Sequence, residues 1–82
     1  MKNFDYLSSS WLNGQYYDIC GFNVTIDSSI SFACFESVSD SDEVYDFQGC
    51  EADKVIEDIT NIWNNAELAQ DDAIASWIRA HL

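Results

Sequence analysis

The sequence predicts an α+β fold, in which an antiparallel sheet of three to four strands is followed by two helices. Between about residues 15 and 47, apolar and polar residues alternate, which is the period of a β-strand. After residue 50 the apolar residues recur at intervals of three and four, which indicates helices over about residues 51–64 and 68–81. With 82 residues, 48% of them hydrophobic, the chain is expected to form a single domain over residues 1–82.

The first segment, residues 3–13, fits either a short helix or a strand. Phe4, Leu7 and Trp11 have helical spacing, whereas Phe4 and Tyr6 alternate as strand residues do. We favour a short N-terminal helix.

Two strands come next, and a glycine separates them. Residues 15–20 are apolar enough for a strand that ends at Gly21. Residues 22–27 alternate strictly and should bury one face, which carries Phe22, Val24 and Ile26. The following Asp-Ser-Ser sequence at residues 27–29 is typical of a turn.

The third and fourth strands flank a polar loop at residues 37–43. The third, residues 30–36, has apolar side chains on both faces, so we expect a central strand that is covered on both sides. The fourth, residues 44–47, places Tyr45 and Phe47 on one face and the polar Asp46 on the other.

Two amphipathic helices complete the predicted fold. The apolar stripe of the first consists of Val55, Ile56, Ile59, Ile62 and Trp63. We expect this helix to end at Asn64 and Asn65, and Asp71 to cap the second helix. The stripe of the second helix consists of Ile74, Trp77, Ile78 and His81. Arg79 and His81 fall in its last turn, where the helix dipole favours cations.

The three cysteines, Cys20, Cys34 and Cys50, are an odd number without a C-x-x-C spacing. We expect three free thiols, two of them in the core, in a cytoplasmic protein. We expect no signal peptide, because the first residues contain no apolar run, and no apolar stretch has the length that spans a membrane.

The residues predict neither catalysis nor a cofactor or metal site. Asp40 begins a spacing that resembles a calcium loop, but Val44 and Tyr45 occupy its fifth and sixth positions, where a ligand and glycine belong. His81 is the only histidine, and as a cation at a helix end it is a poor partner for a cysteine nucleophile. Three basic residues cannot neutralise a phosphate backbone, so direct nucleic-acid binding is not expected.

The charge is the unusual property of this chain, since 15 acidic and three basic residues give a net charge of −12. The electrostatic field of such a negative charge attracts basic surfaces and repels nucleic acid and anionic membranes. Nine of the acids lie between Glu36 and Asp58, a segment in which Lys54 is the only basic residue. We call these nine carboxylates the acidic run. The residues predicted to contact a partner are Asp40, Asp42, Glu43, Tyr45, Asp46, Glu51, Asp53, Glu57 and Asp58.

In its small size, its charge and its acidic run, the chain resembles the DNA-mimicking inhibitors of phages and mobile elements, including anti-CRISPR and anti-restriction proteins. The resemblance implies a non-enzymatic inhibitor, monomeric or dimeric, that occupies the groove of a basic nucleic-acid-binding protein. It also implies a cytoplasmic location, in the host cell if a phage encodes the chain. The alternative is an immunity protein or antitoxin that neutralises one basic toxin, such as a nuclease.

Overall fold

A computed structural model of the protein describes residues 12–82 and confirms the predicted α+β fold. A four-stranded antiparallel sheet has the spatial order β1-β2-β3-β4, and two helices follow it. The strands are β1 (Gly14–Ile19), β2 (Phe22–Asp27), β3 (Phe32–Ser37) and β4 (Val44–Gln48). The helices are α1 (Cys50–Ala66) and α2 (Gln70–His81). The predicted helix over residues 3–13 falls almost wholly outside the described residues.

Tight turns hold the first three strands in register. The turn from β1 to β2 consists of Cys20 and Gly21, which both have positive φ, 51° and 83°. Between β2 and β3, the carboxylate of Asp27 accepts a hydrogen bond of 3.0 Å from the backbone N–H of Ser29. That contact caps a short 3-10 turn that includes Ile30, whose surface is 68% exposed. The prediction that the third strand starts at Ile30 was therefore wrong, because the cap ends extended structure at Asp27.

β3 is a central strand, as predicted, but only one of its faces is covered by described elements. Ala33 and Phe35 are completely buried under the helices, whereas Phe32 and Cys34 on the opposite face are half-buried. The prediction that β3 is covered on both sides is thus not met within residues 12–82. Both helices pack on the same side of the sheet, which leaves the other side without a described layer.

Both helix boundaries differ from the predicted ones at specific residues. α1 continues through Asn64, which is buried, and ends where Glu67 adopts a left-handed conformation with φ of 53°. α2 has Ala69 as its N-cap, while Asp71 lies in the first turn instead of capping it. A carboxylate in the first turn still interacts favourably with the helix dipole, and that of Asp71 also accepts a hydrogen bond of 3.0 Å from the backbone N–H of Asp72.

An aromatic cluster joins the sheet to α2. The rings of Phe35 and Trp77 stack with centroids 5.0 Å apart, and Phe47 contacts both rings edge-on. His81 stacks on Trp77 with centroids 4.4 Å apart, although its own surface is exposed. The predicted apolar stripe of α2 is therefore confirmed, with His81 at its solvent-facing end.

The three cysteines are free, as expected, but none of them is a core residue. Cys20 and Cys50 are exposed and Cys34 is half-buried. The prediction of two core thiols was wrong because Cys20 falls in a turn and Cys50 at a helix start, where the backbone reaches solvent.

Candidate acidic binding surface

The first part of the acidic run is a loop at residues 38–43, which a set of hydrogen bonds closes. The backbone N–H of Ser37 donates to the carbonyl of Glu43 at 2.9 Å, and that of Glu43 donates to the carbonyl of Asp40 at 3.0 Å. The carboxylate of Asp40 accepts from the N–H of Asp42 at 3.0 Å. This loop therefore holds three carboxylates at one end of the sheet in a defined arrangement. Together with Val44 and Tyr45 they line an open depression of about 520 Å³.

β4 divides the next two predicted contact residues between the two faces of the sheet. Tyr45 faces the helices, with its ring edge-on to Phe22 at 5.9 Å, and its hydroxyl donates to Oε2 of Glu43 at 3.0 Å. This hydrogen bond, together with the charge of Glu43, raises the pKa of Tyr45 above its usual value. Asp46 lies on the opposite, outward face. Tyr45 therefore reaches the acidic surface through its hydroxyl group only.

Strand pairing adds a residue to this outward face that the predicted contact set omits. Asp46 pairs with Cys34, and Glu36 lies two residues further along β3, so Glu36 and Asp46 occupy diagonal positions on one face, with their backbones about 7 Å apart. Burial and these two carboxylates, Asp46 before Glu36, raise the pKa of the Cys34 thiol. Sequence spacing gives no sign of this pair, because it depends on the register between two strands.

The remaining carboxylates of the run, Glu51, Asp53, Glu57 and Asp58, belong to α1. Asp53 accepts a hydrogen bond of 2.8 Å from the hydroxyl of Ser31. The ammonium of Lys54 lies 3.0 Å from Asp58 and 4.0 Å from Glu57. Its hydrogen bond to Asp58 raises the pKa of Lys54. These pairs are largely exposed and contribute little to stability.

The fold therefore distributes the acidic run over three adjoining locations instead of one flat patch. The loop lies at one end of β4, Asp46 lies on the outward face, and the α1 carboxylates begin beyond the other end of the strand. Since β4 has five residues, the loop and the start of α1 are separated by about 17 Å. Among residues 12–82, the carboxylates of the run form ion pairs with Lys54 alone.

Beside the α1 carboxylates lies a cleft that the sequence did not reveal. It has a volume of about 430 Å³ and lies where β4, α1 and α2 meet. The residues that line it are Phe47, Cys50, Glu51, Lys54, Val55, Asp58, Trp77 and His81. The only signal in the sequence was the set of aromatic residues near positions 47 and 77, which the helical and strand patterns assigned to the core.

The cleft brings Cys50 and His81 to one place, yet no described hydrogen bond joins them. The Nδ1 atom of His81 lies 3.0 Å from the carbonyl oxygen of Trp77, which continues the last turn of α2. Within residues 12–82, no group of three or more His, Cys, Asp and Glu side chains is arranged to hold a metal ion. The arrangement thus offers a charged and partly apolar binding surface.

No family model matches the chain, and comparisons with curated proteins and with solved structures find no similar protein. Neither of the two described helices has the length and apolar character needed to cross a membrane.

Proposed function

We propose that the protein is a non-enzymatic inhibitor that binds a basic nucleic-acid-binding protein and occupies the groove in which nucleic acid would lie. The supporting observation is that every carboxylate of the acidic run is exposed or half-buried, and that Lys54 is their only described ion-pair partner. Carboxylates crowded in this way repel one another. A groove lined by Lys and Arg relieves that repulsion and gains charge-assisted hydrogen bonds.

The positions of the carboxylates suit this role because regular structure fixes most of them. Asp46 is on a paired strand, the α1 carboxylates are on a helix, and hydrogen bonds close the loop at residues 38–43. A surface that is ordered before binding loses less conformational entropy when the partner docks. The backbone spacing of about 7 Å between the positions of Glu36 and Asp46 is of the same scale as that of neighbouring phosphates along a nucleic-acid strand.

The proposal is tested with two fourfold variants of equal charge. The test variant changes Asp40, Asp42, Asp46 and Asp53 to Asn, which lowers the negative charge within the run. The control variant changes Asp18, Asp27, Asp71 and Asp72 to Asn, which lowers the net charge equally outside the run. Circular dichroism first confirms that both variants are folded.

Each protein is immobilised and exposed to host lysate, and bound material is released first with DNA or RNA and then with salt. We expect the parent and the control variant to capture a basic nucleic-acid-binding protein that nucleic acid displaces, and the test variant to capture much less. Once that protein is purified, the logarithm of the dissociation constant should rise with the logarithm of salt concentration, with a smaller slope for the test variant.

Equal capture by the test variant and the parent at about 0.15 M salt would contradict nucleic-acid mimicry, because charge steering still operates at that ionic strength. A partner that nucleic acid does not displace, and that stays bound at high salt, would favour the antitoxin alternative. In that case the partner should be a single basic toxin that the protein neutralises.

A further inference from the structure

We propose that the cleft between β4, α1 and α2 is the anchor site of the partner interface, and that it accepts an apolar or aromatic side chain flanked by Arg or Lys. This inference rests on the proposed function, because it takes the partner to be basic. The cleft would add a desolvated apolar contact to the charge attraction, and such a contact slows dissociation of the partner.

The apolar part of the cleft is fixed in place by ring packing. Trp77 is stacked by Phe35 at 5.0 Å and by His81 at 4.4 Å, and Phe47 contacts its ring edge-on. Val55 from α1 contributes the aliphatic part of the lining. Because these rings already pack against one another, filling the cleft requires little side-chain ordering. The cleft is open to solvent, and its volume of about 430 Å³ leaves room for a large side chain that stays partly exposed.

The charge around the cleft selects the occupant. Glu51 and Asp58 line it, and the ammonium of Lys54, which also lines it, is engaged by Asp58 at 3.0 Å. Glu51 has no ion pair with any described residue. Because Lys54 and Asp58 compensate each other, Glu51 gives the lining its net negative charge, and this carboxylate attracts a cationic neighbour of the bound side chain. A second copy of this chain, with its own charge of −12, would be repelled, and so would nucleic acid.

Defined peptides test the cleft without knowledge of the natural partner. Three peptides labelled with fluorescein are compared by anisotropy at low salt: Arg-Arg-Trp-Arg-Arg, Arg-Arg-Gly-Arg-Arg and Gly-Gly-Trp-Gly-Gly. We expect the first to bind about fivefold to tenfold more tightly than the second, because partial burial of an indole ring adds to the charge attraction. The third should bind most weakly. In spectra of the ¹⁵N-labelled protein, only the tryptophan peptides should shift the indole N–H signal of Trp77.

A variant that fills the cleft without a change in charge provides the control. Cys50→Trp places a large ring at the exposed start of α1, where Cys50 lines the cleft, and it should abolish the advantage of the tryptophan over the glycine peptide. Val38→Trp adds the same ring in the loop at residues 38–43, away from the cleft, and should retain that advantage. If Cys50→Trp does not fold, the shift of the Trp77 indole signal in the parent decides the question.

The outcomes separate this inference from the proposed function. Equal binding of the two arginine peptides would overturn the cleft as an anchor site and leave the acidic surface supported. Binding of the neutral tryptophan peptide as tightly as the arginine one would overturn the selection for a basic segment. If neither arginine peptide binds, the cleft proposal and the electrostatic basis of the proposed function both fail.

Discussion

Phe35 and Phe32 lie on the same strand but on opposite faces of the sheet. Replacing each by alanine therefore compares how much the two faces of the sheet contribute to the free energy of unfolding. Phe35 is completely buried and contacts the rings of Phe47 and Trp77, whereas Phe32 is half-buried on the outward face. Phe35→Ala should reduce the free energy of unfolding by about 3–5 kcal/mol, as is usual for an aromatic residue removed from a core. Phe32→Ala should cost about 1–2 kcal/mol, from partial burial and lower strand propensity.

These losses are large relative to the stability of the domain. At about 0.05–0.15 kcal/mol per residue, 82 residues correspond to about 4–12 kcal/mol in total. One kcal/mol changes the melting temperature of a domain of this size by about 4–8 °C. Phe35→Ala should therefore lower the melting temperature by at least about 12 °C, and Phe32→Ala by about 4–16 °C.

Urea unfolding followed by circular dichroism provides the direct comparison. If Phe35→Ala is unfolded without urea, Phe35→Leu serves in its place and should cost about 1–2 kcal/mol through lost aromatic contacts. Phe32→Leu, its matched control, should cost less than Phe35→Leu. Equal losses at the two positions would refute the assignment of a single covered face, because the outward ring would then be as buried as the inward one.

Three further predictions concern individual side chains. Because burial and the charge of Asp46 raise the pKa of the Cys34 thiol, this cysteine should react with iodoacetamide near pH 8 more slowly than the two exposed cysteines. Asp46→Asn should accelerate the reaction of Cys34, and an unchanged rate in that variant would contradict the electrostatic contribution of Asp46 to the pKa. Tyr45 should titrate, by absorbance near 295 nm, above its usual pKa, and Glu43→Gln should bring that pKa back down. Since the folded pKa of Tyr45 is the higher one, its contribution to stability should be complete below pH ~10 and disappear as the pH rises through the raised value. Cys20→Asn should stabilise the protein by about 0.5–1 kcal/mol in urea unfolding, because asparagine tolerates the positive φ of that turn better than cysteine does. The thiol of Cys20 accepts a hydrogen bond of 3.4 Å from Arg79, and a loss of stability would show that this contact matters more than the backbone conformation.

Local pattern was sufficient to predict the order and type of the elements. Apolar and polar residues alternate strictly over β2, and only a strand places Val24 and Ile26 on the same buried face. The apolar residues of α1 recur at helical spacing, and a helix places Ile59 among them in the core. These features follow from backbone periodicity, which neighbouring residues specify. The exposed acidic run was equally visible, because carboxylates without basic partners remain in water whatever the fold.

Boundaries and burial depended on contacts that no local pattern contains. Asn64 looked like a helix end, yet α1 buries this residue and continues to Ala66. Two of the three cysteines were expected in the core, yet Cys20 lies in a turn and Cys50 begins a helix, and both are exposed. The helix propensities of most residues differ by only tenths of a kcal/mol, so tertiary packing decides where a helix ends and which side chains are buried.

The sequence by itself thus determined the fold class, the buried faces of β2 and of the two helices, and the strongly acidic character of the surface. Only the tertiary structure decided how the acidic run is divided and that a cleft adjoins it. Glu36 and Asp46 become neighbours through strand register, and Phe47 and Trp77 meet because both helices pack on the same face of the sheet. Both arrangements join residues far apart along the chain, and their positions are set by the packing of whole elements, which short-range periodicity does not encode.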